Sequence, residues 1–177
     1  MKKNEILKLT LCAVMASVSI VLERFVSLDL GMGLKLTFYG FPLMVVGVMF
    51  GIKMGLVTGL VAGVIIQLTS PYGVSITSIF WVLAPLAWGV VSAIAYFLLK
   101  KKNGIFIFII VAFVTSLSAT LINTVAMILE GLILGDEYYA FANVMTKLPV
   151  RLLSMLILVI PYGFLLESIS KIKLDKN

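Results

Sequence analysis

The stretch from Met145 to Leu153, MTKLPVRLL, sets two cations, Lys147 and Arg151, on either side of Pro149 and then runs into the apolar LSMLILVIPYGFLL. An (i, i+4) pair lies on one helical face, and Pro149 suits the first turn of the helix that carries Arg151. An arginine offers a planar bidentate fork and a lysine a point charge, so the pair is suited to holding an anion. Arg24 and Lys35 bracket another loop in the same way. All four stand at the ends of apolar runs, where a long side chain reaches into a cavity or snorkels to a membrane interface. The alternative to ligand binding is interfacial anchoring with local pairing to Glu23, Asp29, Asp136 or Glu137.

Aromatic residues gather at the same loops: Phe38, Tyr39 and Phe41 follow Lys35, Tyr72 lies in SPYG, and Phe80 with Trp81 and Tyr138, Tyr139 with Phe141 come later. They would stack a planar ligand or form an aromatic belt. Deeper in the apolar runs, Gln67, Asn123 and Thr124 need hydrogen-bond partners, since an unpaired amide in hydrocarbon costs roughly 2–7 kcal/mol. Interhelical bonds or the edge of a heterocycle would both serve.

Other chemistry is excluded by what the chain lacks. It has no histidine and one cysteine, Cys12, so zinc and haem sites, disulfides and Ser-His or Cys-His nucleophiles have no residues to use. There is no phosphate-binding loop to let the chain drive itself with ATP. Glu130 with Asp136 or Glu137 reads as a solvated loop cluster, not a catalytic pair. The expectation is a non-enzyme with no metal and no cofactor.

The elements that must position these residues follow from composition. Of 177 residues, 62% are hydrophobic and 12% charged, with mean hydropathy +1.17, values of an integral membrane protein. The N-terminal run lacks a clear cleavage site and reads as a retained first helix. Six spans are predicted, near 6–22, 36–50, 54–68, 76–99, 105–129 and 149–166, forming one all-α domain over 1–177. The 34 residues from Leu36 to Thr69 would make one helix about 51 Å long against roughly 30 Å of hydrocarbon, so a break is required, best placed at FGIKMG, residues 50–55. Gly55, Gly59 and Gly63 drift about 40° per step and form one bare stripe, read as an internal packing surface. Ala13, Ala16 and Ser17 make a small-residue patch in the first span.

Counting loops, ten of the cations fall on one side and four, Arg24, Lys35, Lys147 and Arg151, on the other. The positive-inside rule then puts both termini in the cytoplasm and the four cations outside. Localisation in the plasma membrane is expected.

A small, six-span, basic-inside protein with a small-residue patch in its first helix resembles the substrate-binding S components of energy-coupling factor (ECF) vitamin transporters. The segment LERFVSLDLGMGLKLTFYGFPLMVVGVMFGIKMGLVTGLVAG is most similar to the folate-specific members. Arg24, Phe25 and Ser27 match an Arg-Phe-x-Ser run ending the first helix, and Lys35 precedes a Phe-x-Gly-Phe-x-Pro-like stretch, Phe38, Gly40, Phe41 and Pro42. Asn123-Thr124 and KLPVRLL resemble the fifth helix and the start of the sixth. Gln67 departs from the pattern, standing in a third helix where folate members carry an acid.

The resemblance implies a membrane subunit that captures a vitamin, folate first and another anionic vitamin such as pantothenate second. Its partners would be a transmembrane coupling protein, two ATPase subunits and the lipid bilayer, with no role for nucleic acid. Ala13, Ala16 and Ser17 would face the coupling protein. The ligand set expected is Arg24, Lys35, Lys147 and Arg151 for carboxylates, Phe38, Phe41 and Tyr72 for the ring, and Gln67 and Asn123 for its edge. A scaffold without a small ligand and a secondary carrier are the competing readings.

Overall fold

The computed structural model describes residues 3–29, 35–71, 73–99 and 104–171, without the side chains of residues 3, 28, 29, 35 and 138. Six helices form: α1 Lys3–Phe25, α2 Gly40–Phe50, α3 Ile52–Leu68, α4 Ser78–Leu98, α5 Ile105–Leu134 and α6 Phe141–Ser170. A two-residue antiparallel ladder, β1 Leu28–Asp29 with β2 Lys35–Leu36, closes the α1–α2 connection, pairing Leu28 with Leu36 and Asp29 with Lys35. A single 3₁₀ turn, Glu137–Tyr139, joins α5 to α6.

Four helices, α1, α4, α5 and α6, are long and apolar enough to cross a membrane by themselves. The other two come from the break the sequence requires. Gly51 ends α2 with φ +83°, a conformation open to glycine and strained for other residues, and restarts the chain as α3. At 11 residues α2 is about 16 Å long, so it reaches only part of the way across. It is apolar all round because it is buried all round: Leu43, Met44, Val45 and Val46 are at most 1% exposed. Its residues share a core with Phe108, Val111 and Ala112 of α5 and Met155, Val159 and Tyr162 of α6.

Lipid is as apolar as leucine, so close packing and buried hydrogen bonds must hold such a bundle together. The glycine stripe supplies the packing. Gly55, Gly59 and Gly63 are buried on α3, facing α4. A Cβ on Gly59 would lie 2.8 Å from both Leu86 Cα and Pro85 O, and one on Gly89 of α4 would run into the Gly55 carbonyl. Gly47 meets the same point of α4 from α2. Ser92 Oγ donates to Met44 O at 3.3 Å, and Ser19 Oγ to Tyr39 O, which fixes α4 to the middle of α2 and α1 to its start.

Two boundaries differ from expectation. Helix α5 continues to Leu134, so Glu130 belongs to a helix and is not a loop residue. Helix α6 begins at Phe141, which leaves Pro149 in its interior and not in its first turn. Helices outlast the apolar run because backbone bonding continues into the interface, and neighbouring groups in a membrane bundle satisfy the carbonyl that a proline frees. Lys147 and Arg151 still share one helix, one turn apart.

Because the α3–α4 crossing leaves no room for a methyl, Gly89→Ala is expected to lower stability by about 1–3 kcal/mol. Thermal unfolding in detergent measures this, and an unchanged melting temperature would contradict the packing argument.

Candidate ligand-binding site

The ends of α1, α3 and α5 and the starts of α2, α4 and α6 meet at the end of the bundle remote from Lys3 and Ser170, here called the distal end. Three contacts across helices define it: Arg24 with Thr69, Trp81 with Glu130, and Arg151 with Thr124.

Arg151 is half-buried in α6 and reaches toward α5. Its Nη1 donates to Thr124 Oγ1 at 3.0 Å and lies 2.9 Å from Met127 Sδ. Thr124 Oγ1 donates a hydrogen bond to Thr120 O at 2.8 Å, which leaves its lone pairs to accept from Arg151. Tyr39 and Tyr139 lie near the guanidinium. Among the described residues, no carboxylate forms an ion pair with Arg151. A hydroxyl and a thioether meet its charge, so an incoming anion would find the guanidinium uncommitted to an acid.

Beside Arg151, the side chain of Tyr39 hydrogen-bonds with those of Asn123 and Trp88 and lies near Glu23. The Tyr39 and Trp88 ring centroids are 6.5 Å apart at 76°, those of Trp88 and Tyr162 6.1 Å at 78°, and those of Phe41 and Tyr162 5.3 Å at 34°. The first two pairs are edge-to-face, an arrangement favoured over a face-to-face sandwich. Gly40 permits the arrangement, since a Cβ there would enter the Trp88 ring. The cluster thus joins aromatic faces, an amide, a carboxylate and a guanidinium, which suits a flat hydrogen-bonding ring with an anionic arm. Among the described residues, no group of three His, Cys, Asp or Glu side chains is placed to hold a metal.

The other expected residues fall in several places. Phe38 and Phe41 are partly buried against the core, and Asn123 joins the cluster. Lys147 is half-buried one turn before Arg151. Arg24 is engaged elsewhere: it donates to Ile66 O and, at 3.2 and 3.3 Å, to Thr69 Oγ1, capping the last turn of α3 with a cation as the helix dipole favours. Gln67 is half-exposed in the same turn, and no side-chain bond links it to the cluster among the described residues. Tyr72 and the Lys35 side chain lie outside the described residues. On α1, Ala13 and Ser17 line an open groove with Thr10, Val14 and Val18. Ala16 points inward instead, 5% exposed and packed with Leu43 and Ala62, because three residues turn a helix by about 300° and four by about 400°.

Glu23, Tyr39, Trp88 and Tyr162 were not among the expected ligand residues. Tyr39 and Glu23 carried a signal, one among the loop aromatics and the other beside Arg24. Trp88 and Tyr162 carried none, being aromatic residues inside apolar helices.

No curated protein sequence matches the chain. Among solved structures, "FolT bound with folic acid" is similar at TM-score 0.68 and 20% identity, covering 92% of this chain and 93% of that one. The S-component for biotin from an ECF-type ABC transporter is similar at TM-score 0.68 and 14% identity, covering 97% and 94%. An S component of a bacterial ECF transporter gives TM-score 0.64 and 17% identity over 98% and 100%. At these identities the likeness concerns the fold. A family model described as "ECF-type riboflavin transporter, S component" matches residues 3–171. With this match over nearly its whole length, the chain belongs to the family of ECF-type riboflavin transporter S components, the substrate-binding membrane subunits of vitamin importers.

Proposed function

We propose that the chain captures folate at the distal end, with the pterin ring against Trp88, Tyr39 and Tyr162 and a tail carboxylate on Arg151. The observation that carries this is the half-buried Arg151, bonded to Thr124 and Met127 and set next to an aromatic and amide cluster. Asn123 reads the ring edge, and the Glu23 carboxylate is suited to an exocyclic amine or ring N–H. Lys147, one turn away, adds a second cation for the tail. No bond in the ligand is made or broken.

The description of the matching family favours a second reading, in which the ligand is riboflavin. A flavin would use the same rings and amide and make less use of the guanidinium. Delivery requires a transmembrane coupling subunit and two ATPase subunits, with both termini cytoplasmic and the distal end outside. The exposed groove of α1 at Ala13 and Ser17 is the surface we assign to the coupling subunit.

Titration of the purified chain, followed by tryptophan fluorescence, tests the ligand. Folate is expected to bind one-to-one, and Arg151→Ala is expected to weaken it about 10- to 100-fold, as loss of a charged hydrogen bond does. Riboflavin binding with no response to folate would replace the first reading by the second. Unaltered folate affinity in Arg151→Ala would remove the electrostatic part.

The docking surface is tested separately. Ser17→Trp is expected to leave ligand affinity of the purified chain unchanged and to abolish uptake in cells supplying the ATPase module. Normal uptake by that variant would move the docking surface off this groove.

A further inference from the structure

Glu130 is not part of the ligand cluster, yet it is one of the most fully bonded side chains at the distal end. Its Oε2 accepts from Trp81 Nε1 at 2.6 Å and its Oε1 from Thr77 Oγ1 at 3.2 Å. Thr77 is completely buried, and its oxygen is 2.6 Å from Ser75 Oγ. One carboxylate of α5 therefore holds the start of α4 and the turn that precedes it.

The network continues toward the ligand cluster. The Trp81 ring lies 6.2 Å from that of Tyr139 at 56°, in the turn before α6. Gly131, the neighbour of Glu130, lets that turn lie on α5, because a Cβ there would strike the Tyr139 carbonyl. Tyr139 lies near Arg151, whose hydrogen-bond partners, Thr124 and Met127, are on the same helix as Glu130. On α5, Thr124, Met127 and Gly131 follow one face, and Glu130 lies on its flank.

We infer that Glu130 is a positioning residue: through Trp81 and Tyr139 it fixes the Arg151 side of the site and so sets how long the ligand stays bound. The inference rests on the reading of Arg151 as the partner of the ligand's anion. A carboxylate suits this position because the Trp81 indole can only donate and the Thr77 hydroxyl is set to donate. Its two oxygens only accept, whereas a glutamine would turn an N–H₂ toward Trp81 or Thr77. Changes around a binding site act mostly on dissociation, so the encounter rate should stay nearly constant.

The test uses Glu130→Gln, Trp81→Phe and the double variant in the full-length chain, with folate and riboflavin as probes in stopped-flow measurements. Dissociation is expected to be about tenfold faster in each single variant, with association within about threefold. The double variant should be no faster than either single one, since both break the same connection. A ligand-free arm follows phenylglyoxal modification at Arg151 by peptide mass mapping, with Arg24 as internal reference. Glu130→Gln is expected to raise the Arg151 to Arg24 ratio roughly threefold, as a local opening would. An unchanged ratio, unchanged dissociation or additive effects in the double variant would overturn the inference. If the unmodified chain bound neither vitamin while the ratio rose, the ligand assignment would fall and the positioning role would stand.

Discussion

A guanidinium drawn into a helix bundle must be compensated where it sits, and the distal end of this protein is organised around that requirement. Removing a charge from water costs several kcal/mol even after relaxation. Arg151 recovers part of this from the Thr124 hydroxyl and the Met127 sulfur. It is not neutralised by a carboxylate among the described residues. On the proposed reading, an anionic ligand would complete the compensation, and the site would select for charge before any ring is recognised. Arg24 illustrates the contrast, since the carbonyl of Ile66 and the hydroxyl of Thr69 occupy it as a cap on α3.

Such a cluster needs walls that hold their positions. The glycine crossing of α3 and α4 brings backbones together where even a methyl would not fit, and α2 fills the centre as a short helix buried from Pro42 to Val48. Tyr39 and Gly40 stand at the start of α2, so the helix that anchors the core also presents the aromatic side of the site to Trp88. The Glu130 network performs a similar service between α4, α5 and the turn before α6. Packing thus accounts for the fold, and hydrogen bonds to a few charged groups account for the shape of the site.

Much of this could be read from the sequence, and the failures have physical causes. The break near Gly51 was legible because an apolar run longer than the bilayer must fold back, and the stripe Gly55, Gly59, Gly63 was legible because its spacing leaves one interpretation. Arg151, Asn123 and Phe41 were legible as polar or aromatic residues out of place in an apolar run. The end of α5 and the start of α6 were not, because helices continue past the hydrocarbon and Glu130, Lys147 and Pro149 imitate a loop. Trp88 and Tyr162 were hidden for the opposite reason, since nothing in an apolar helix distinguishes a ring packed inside the bundle from one that faces lipid. Ala16 shows the limit of spacing arguments: it lies beside Ala13 and Ser17 in sequence and on another face of α1.

The central claim is that the ligand occupies the space bounded by Tyr39, Trp88, Asn123 and Arg151. A crystal structure of the chain with folate bound tests it most directly. The account predicts the ring against Trp88 and Tyr39 with a carboxylate on the Arg151 guanidinium. Density for the ligand in the groove between Ile20, Arg24, Phe25 and Pro71 instead, with Arg151 still bonded to Thr124 and Met127, would contradict it.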